Sequence, residues 1–381
     1  MSIFDNIAIA GVAESDLGVV QNMNSADLMA QASVRAAEEA GINIKEVDGL
    51  FSSSAHYSMP TVTLAEYLGI TPKYMDATSI GGASFVSLVA HAAQAISNGL
   101  CEVALIAYGS TQRTDGGGLK NITEPTPFEV PFGYHDPITA YALTAQRHMH
   151  EFGTTREQLS EVAVSTRKWA SMNKKAFKRE LITHEEVSNS TLISTPLTKL
   201  DCCLVTDGGA AIILTTKERA KSLNKKPVYI WGYGESTTHR SISNMLDLVT
   251  TAAAYSGKSA FEMAGVEPKD IDVAELYDAF SINVILFLED LGFCEKGEGG
   301  HFISNGNIAP GGNLPVNTNG GGLSYCHPGM YGLFTIVEAA RQLREECGER
   351  QVENCNIALA HGNGGVLSSE VTMVLSNNPK S

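Results

Sequence analysis

The chain has 381 residues, 43% hydrophobic and 18% charged, which is enough apolar material for two domain-sized cores without metal or disulfide support. Its formal net charge of −15 argues against a nucleic-acid partner, because the densest basic stretch, Lys174-Lys175-Ala176-Phe177-Lys178-Arg179, is short. Seven cysteines without CxxC or Cys/His ligand spacing read as reduced thiols, with no metal site. The opening Met1-Ser2-Ile3-Phe4-Asp5-Asn6 lacks a charged-then-apolar leader. No run of about 18 apolar residues occurs either, so the expectation is a cytoplasmic protein that does not enter a membrane.

In chain order, the pattern predicts a strand over 7–12, a capped amphipathic helix over 25–40, a helix over 85–98 and a buried strand over 103–108. Strands alternating with helices mark an α/β fold. The segment from about 111 to 199 has no counterpart later in the chain and reads as an inserted cap. Its His135 and His148-Met149-His150 are assigned to cap or core, Cys202-Cys203 just beyond it to packing, and Thr114-Asp115-Gly116-Gly117-Gly118 lacks the Lys-Ser/Thr of a phosphate loop. The polar stretch 221–227 is the expected boundary, giving a first half over 1–220 and a second over 227–381.

Residues 36–48, AAEEAGINIKEVD, recur as 260–272, AFEMAGVEPKDID, with helix, glycine stop and strand start in one register. A second echo follows in the same order: 78–84, TSIGGAS, precedes the helix over 85–98, and 318–324, TNGGGLS, precedes a helix over 336–344. Two copies of one α/β unit are implied.

Four segments combine glycine with polar groups at predicted strand ends, where ligands bind in α/β folds. Gly82 and Ser84 open the helix over 85–98, whose free N–H groups suit an oxyanion; Ser84 reads equally as a helix cap. Tyr277 and Asp278 follow a strand, Tyr277 as a donor to an oxyanion or as a core phenol. Tyr325, Cys326 and His327 lie between a glycine turn and Pro328, and His327 is the strongest acid–base candidate. His361, with Gly364 and Gly365 after it, is a second acid–base group or a hydrogen-bonded neighbour.

With these segments the chain resembles the thiolase superfamily, in particular the sterol-carrier-protein-type branch that pairs with a small zinc-ribbon/OB-fold subunit. Cys326-His327-Pro328-Gly329 resembles the family's Gly-His-Pro motif, Glu275-Leu276-Tyr277-Asp278-Ala279-Phe280 its Asn-Glu-Ala-Phe loop, and His361-Gly362-Asn363-Gly364-Gly365 its Cys-x-Gly-Gly-Gly turn. The resemblance implies a duplicated fold of two βαβαβαββ halves in five α-β-α-β-α layers. It also implies a homodimer, coenzyme A as substrate or product without a permanently bound cofactor, and a basic stretch at 174–179 that is either solvated or a patch for the coenzyme A phosphates.

By the same resemblance His327 activates the nucleophile. The cysteines do not carry over: Gly82 stands at the nucleophile position, His361 at the second cysteine and Tyr277 near the asparagine. Three readings follow. Claisen-type acyl transfer would use Cys326 or Ser84 as nucleophile. Retro-aldol cleavage of a β-hydroxyacyl-CoA would use Tyr277, Tyr325, His327 and His361, with Gly82, Asp278, Gly364 and Gly365 shaping the oxyanion and substrate site. The third is a silent CoA-binding subunit.

Overall fold

The computed structural model describes residues 2–115 and 127–380. Gly116, Gly117 and Gly118 of the glycine stretch, with the part of the inserted segment over 119–126, lie outside them.

The first half runs β1 (Ile7–Glu14), α1 (Ser25–Ala40), β2 (Gly49–Ser52), α2 (Pro60–Leu68), β3 (Tyr74–Asp76), α3 (Ser84–Ser97) and β4 (Val103–Ser110). The insertion contributes α4 (Ile138–Phe152), α5 (Arg156–Ser171), α6 (His184–Ser188) and a short hairpin of β5 (Leu192–Ser194) and β6 (Leu197–Thr198). β7 (Gly208–Thr216) and α7 (Lys217–Ala220) follow. The second half is β8 (Val228–Thr237), α8 (Ala253–Ala264), β9 (Val273–Leu276), α9 (Ser281–Asp290), α10 (Gly299–Ile303), a π turn (Gly321–Tyr325), α11 (Gly332–Leu343), β10 (Ile357–Gly364) and β11 (Ser369–Ser376).

The repeated sequence builds repeated structure. α1 ends on Gly41 at φ 77° and α8 on Gly265 at φ 74°, the left-handed conformation that glycine adopts without a Cβ clash. Each is followed by a 3₁₀ turn closed by a reciprocal cap, Asn43 with Glu46 and Glu267 with Asp270, before a strand buried on both faces.

Strand order is β3-β2-β4-β7-β1-β8-β11-β10-β9, so the second half mirrors the first about the β1–β8 junction. β2 pairs in parallel with β3 and β4, as β9 does with β10, and the remaining neighbours are antiparallel. The third strand of the second half, expected as a full copy, is reduced to the bridge Ala274↔Val316. β1 and β8, the strands where the halves join, pair at Ala8↔Tyr229 and Ile9↔Val228.

α3 and α11 are buried nearly all round, because each packs on strands of both halves. α1 covers the outer face of β1, β4 and β7, and α8 that of β8 and β11. The five layers follow, with the N-terminus of α3 at the centre.

Candidate active site

The first glycine segment and the last meet directly. A Cβ on Gly81 would lie 2.8 Å from Gly364 Cα and from Gly365 N, and one on Gly364 would lie 1.7 Å from the Ile80 carbonyl oxygen. Only bare backbone fits there.

The Tyr277 ring fills the space in front of Gly82, where a Cβ would stand 2.1 Å from its Cε2 and 2.8 Å from its Oη. A residue with a side chain at Gly82 and a phenol at Tyr277 therefore exclude one another. Tyr277 Oη lies 3.1 Å from His327 Nε2 and donates to it when the imidazole carries its proton on Nδ1. The two rings meet edge-on at 5.7 Å, and Tyr331 packs on both.

Burial holds His327 neutral, lowering its pKa to about 4, and its Nδ1 has no partner among the described residues. Burial also raises the Tyr277 phenol well above its ordinary value, with Cys203, Tyr141 and Tyr108 nearby adding to the shift. A neutral phenol hydrogen-bonded to a neutral imidazole is an arrangement that can relay a proton.

Asp278 makes its hydrogen bonds to the turn rather than to that pair. Its carboxylate accepts from Gly322 N at 2.6 Å and Leu323 N at 3.3 Å, fixing the π turn that leads to His327. Burial pushes its pKa up to about 7 against the pull of those N–H groups. Asp278 thus orients the turn.

Other expected residues stand elsewhere. His361, expected beside His327, points the opposite way: Gly362 faces Val86 and Ala83 of the α3 layer, so His361 one residue earlier faces α9, against Phe287. Alternation along β10 decides this. Ser84 caps the turn before α3, its Oγ accepting from Ile80 N at 3.0 Å. Cys326 is fully buried, and burial, with the Glu14 and Asp278 carboxyls, raises its thiol well above the ordinary range, which disfavours the thiolate. Tyr325 donates to Glu14 Oε1 at 2.6 Å, and Glu14 is itself paired with Arg341 and Lys175. Burial works to protonate Glu14, but Arg341, then Lys175, hold it well below the carboxylate range.

Three supporting residues escaped the sequence reading. Thr206 brackets the His327 backbone, its Oγ1 accepting from His327 N at 3.0 Å and its N–H donating to His327 O at 3.2 Å. Tyr108 donates to the Pro328 carbonyl. Tyr331 donates to Asn319 Oδ1 at 2.8 Å. Its position four residues after His327 was the one signal available; the other two reach the site from strand ends. Two surface clefts of about 480 Å³, one against Pro268 and Phe302 and one against Ser304 and Pro310, contain none of the expected residues.

A model of the "Thiolase C-terminal domain-like" family matches residues 234–377. The chain is 34% identical to the acetyl-CoA acetyltransferase of Methanothermobacter thermautotrophicus, over 94% of this chain and 96% of that protein. It is 33% identical to the steroid side-chain-cleaving aldolase of Thermomonospora curvata, over 94% and 95%. The solved Ltp2-ChsH2(DUF35) aldolase superposes with a TM-score of 0.90 at 31% identity, over 98% of each chain. Similarity of this extent, on a duplicated fold whose glycine, tyrosine and histidine loops converge at one helix N-terminus, establishes that the chain belongs to the thiolase superfamily.

Proposed function

We propose that this enzyme cleaves the carbon–carbon bond of a β-hydroxyacyl-CoA by retro-aldol chemistry, without an acyl-enzyme. The observation that carries the reading is the Tyr277 ring in the space that a nucleophile at Gly82 would need. Acyl-CoA carbon–carbon chemistry of thiolase type is thus retained while the N-terminal-half cysteine is absent.

In the forward step the Tyr277–His327 pair takes the proton of the β-hydroxyl. The C–O bond becomes a carbonyl, the Cα–Cβ bond breaks, and its electron pair passes into the thioester as an enolate. Backbone N–H groups of the Gly81–Ala83 turn that opens α3 suit that enolate oxygen. Return of the proton to the α-carbon releases an acyl-CoA and a ketone or aldehyde. Atoms and charge balance with no further reactant, and coenzyme A enters only as part of the substrate and product.

The acetyltransferase relative favours a second direction, Claisen-type acyl transfer at the same site. The two are separated by Tyr277→Phe, which keeps the ring and removes the hydroxyl. Turnover of a β-hydroxyacyl-CoA should fall by roughly 10²-fold or more. A radiolabelled acyl group trapped on Cys326, with Tyr277→Phe fully active, would overturn the retro-aldol reading.

The aldolase neighbour is named as an assembly of two proteins. We extend that to a small zinc-ribbon/OB-fold partner for this chain, beside a homodimer of the chain itself. Light scattering of the chain alone and with a co-expressed partner tests both, and a stable monomer that is fully active defeats them. No helix of the described residues is long and apolar enough to cross a membrane; a cytoplasmic location is part of the proposal.

A further inference from the structure

The outer face of the β10–β11 hairpin carries polar groups that chemistry at Tyr277 does not use. Register pairs His361 with Thr372 and Asn363 with Glu370, and strand alternation sets all four side chains on one face. α9 lies over them. Phe287 packs edge-on against the His361 ring at 4.5 Å, and Asn283 stands one helical turn earlier on the same side of α9.

All of these residues are buried, Asn363 being the most exposed at 3%. Thr372 is satisfied, meeting His361 Nδ1 and Ser256 Oγ at 2.9 Å each. The rest is not. Both carboxamide atoms of Asn283, Asn363 Oδ1, both Glu370 oxygens and His361 Nε2 have no hydrogen-bond partner among the described residues. His361 Nε2 and Glu370 Oε2 are 3.1 Å apart but are not aligned for a hydrogen bond. Buried polar atoms are nearly always paired, so this many on one face mark a place where a polar group is received.

The cluster adjoins the reaction centre. Tyr277 N donates to His361 O at 3.2 Å, so the two side chains lie on opposite faces of neighbouring strands. Between them runs Gly364-Gly365, the strand end that abuts Gly81. Tyr141 of the inserted segment stands at that edge: it accepts from Asn363 Nδ2 at 2.9 Å, donates to Gly365 O at 3.2 Å, and packs on Phe280 at 4.4 Å.

We propose that Asn283, Asn363, Glu370 and His361 form a recognition subsite for a neutral hydrogen-bonding group, a carbonyl or hydroxyl, on the acyl body remote from the thioester. Asn283 offers a free donor and a free acceptor, Asn363 a free acceptor, and a carboxyl at Glu370 rejects an anion. Phe287, against His361, and Tyr141, against Asn363, are the aromatic neighbours of the cluster on the side of the carbon skeleton. Burial, reinforced by Asp290, raises Glu370 well above the carboxylate range and makes it a neutral donor. The inference rests on the reading that the chain binds acyl-CoA, and it adds which acyl groups the chain prefers.

The test compares two CoA thioesters of one carbocyclic acid, identical except that a distal oxo group in the first is a methylene in the second. Calorimetric titration of the wild-type chain should show the oxo ester binding tighter, by on the order of tenfold or more. Asn283→Leu should bring the ratio toward one. Equal affinities in the wild type, failure of either ester to bind, or a ratio unchanged in Asn283→Leu would overturn the subsite. The wild-type ratio needs no substitution, so the proposal can fail even where the variant does not fold. Failure of the retro-aldol reading shows separately, as absent turnover of a β-hydroxyacyl-CoA with the binding ratio intact.

Discussion

At the scale of single residues, Gly82 and Tyr277 are one feature. Each is explained only by the other, because the phenol occupies the volume that a side chain at Gly82 would take. Gly82→Ala should destabilise the protein by about 1–3 kcal/mol through overpacking. Adding Tyr277→Ala should remove most of that penalty, a coupling that a double-mutant cycle of urea unfolding measures. Additive effects would show that the two residues do not share the space.

Titration offers a second check at this scale. Asp278 is raised to about 7 when folded, so its contribution to stability is complete below its unfolded pKa of about 3.9 and is lost as pH rises through 7. Relative to wild type, Asp278→Asn should gain about 1.4 kcal/mol per pH unit across that window, whatever its fixed offset. His327 has the opposite sign. Lowered to about 4, it stabilises fully above its unfolded pKa of about 6.5, and that stability is lost as pH falls toward 4. His327→Asn should therefore gain on wild type as the medium is acidified. Parallel unfolding curves at all pH values would contradict both assignments.

At the scale of elements, the π turn Gly321–Tyr325 carries His327 into place and is tethered from three directions. Asp278 holds its N–H groups, Arg167 Nε donates to Ser324 Oγ at 2.8 Å, and Tyr325 reaches Glu14. A turn so held fixes the imidazole without help from its own short sequence. Tyr325→Phe cuts one tether and leaves Glu14 its cationic partners. A loss of about 1–3 kcal/mol is expected, with a several-fold fall in kcat and little change in KM. Urea unfolding and steady-state kinetics read the two effects independently.

At the scale of the whole molecule, the halves share a short ladder at one sheet edge and a common helical layer of α3 and α11. Charged ties cross the same seam. Arg341 on α11 binds Glu14 at the end of β1, and Arg344 donates to the Ile9 carbonyl at 3.3 Å and the Lys226 carbonyl at 2.8 Å. Glu14→Gln strands a buried guanidinium and should cost about 3–5 kcal/mol. Calorimetry should still show one transition, because neither half buries its central helix alone. Two separated transitions would mean the layer is not shared.

The sequence by itself determined the elements and their duplication. Helix caps, glycine stops and strand patterns are local, so the repeat at 36–48 and 260–272 could be read directly and became two matching turns of structure. The motifs also identified His327 and Tyr277 as chemical groups. Which way side chains point was not local. A one-residue step along β10 sends His361 away from the Tyr277–His327 pair, and nothing in its flanking glycines reports that parity. The reduction of one expected strand to a bridge at Val316 likewise depends on what packs beside it. Only the assembled sheets decided that a tyrosine ring from the second half would fill the gap left by a glycine of the first. Such a contact joins residues 195 positions apart, Gly82 to Tyr277, through packing rather than pattern.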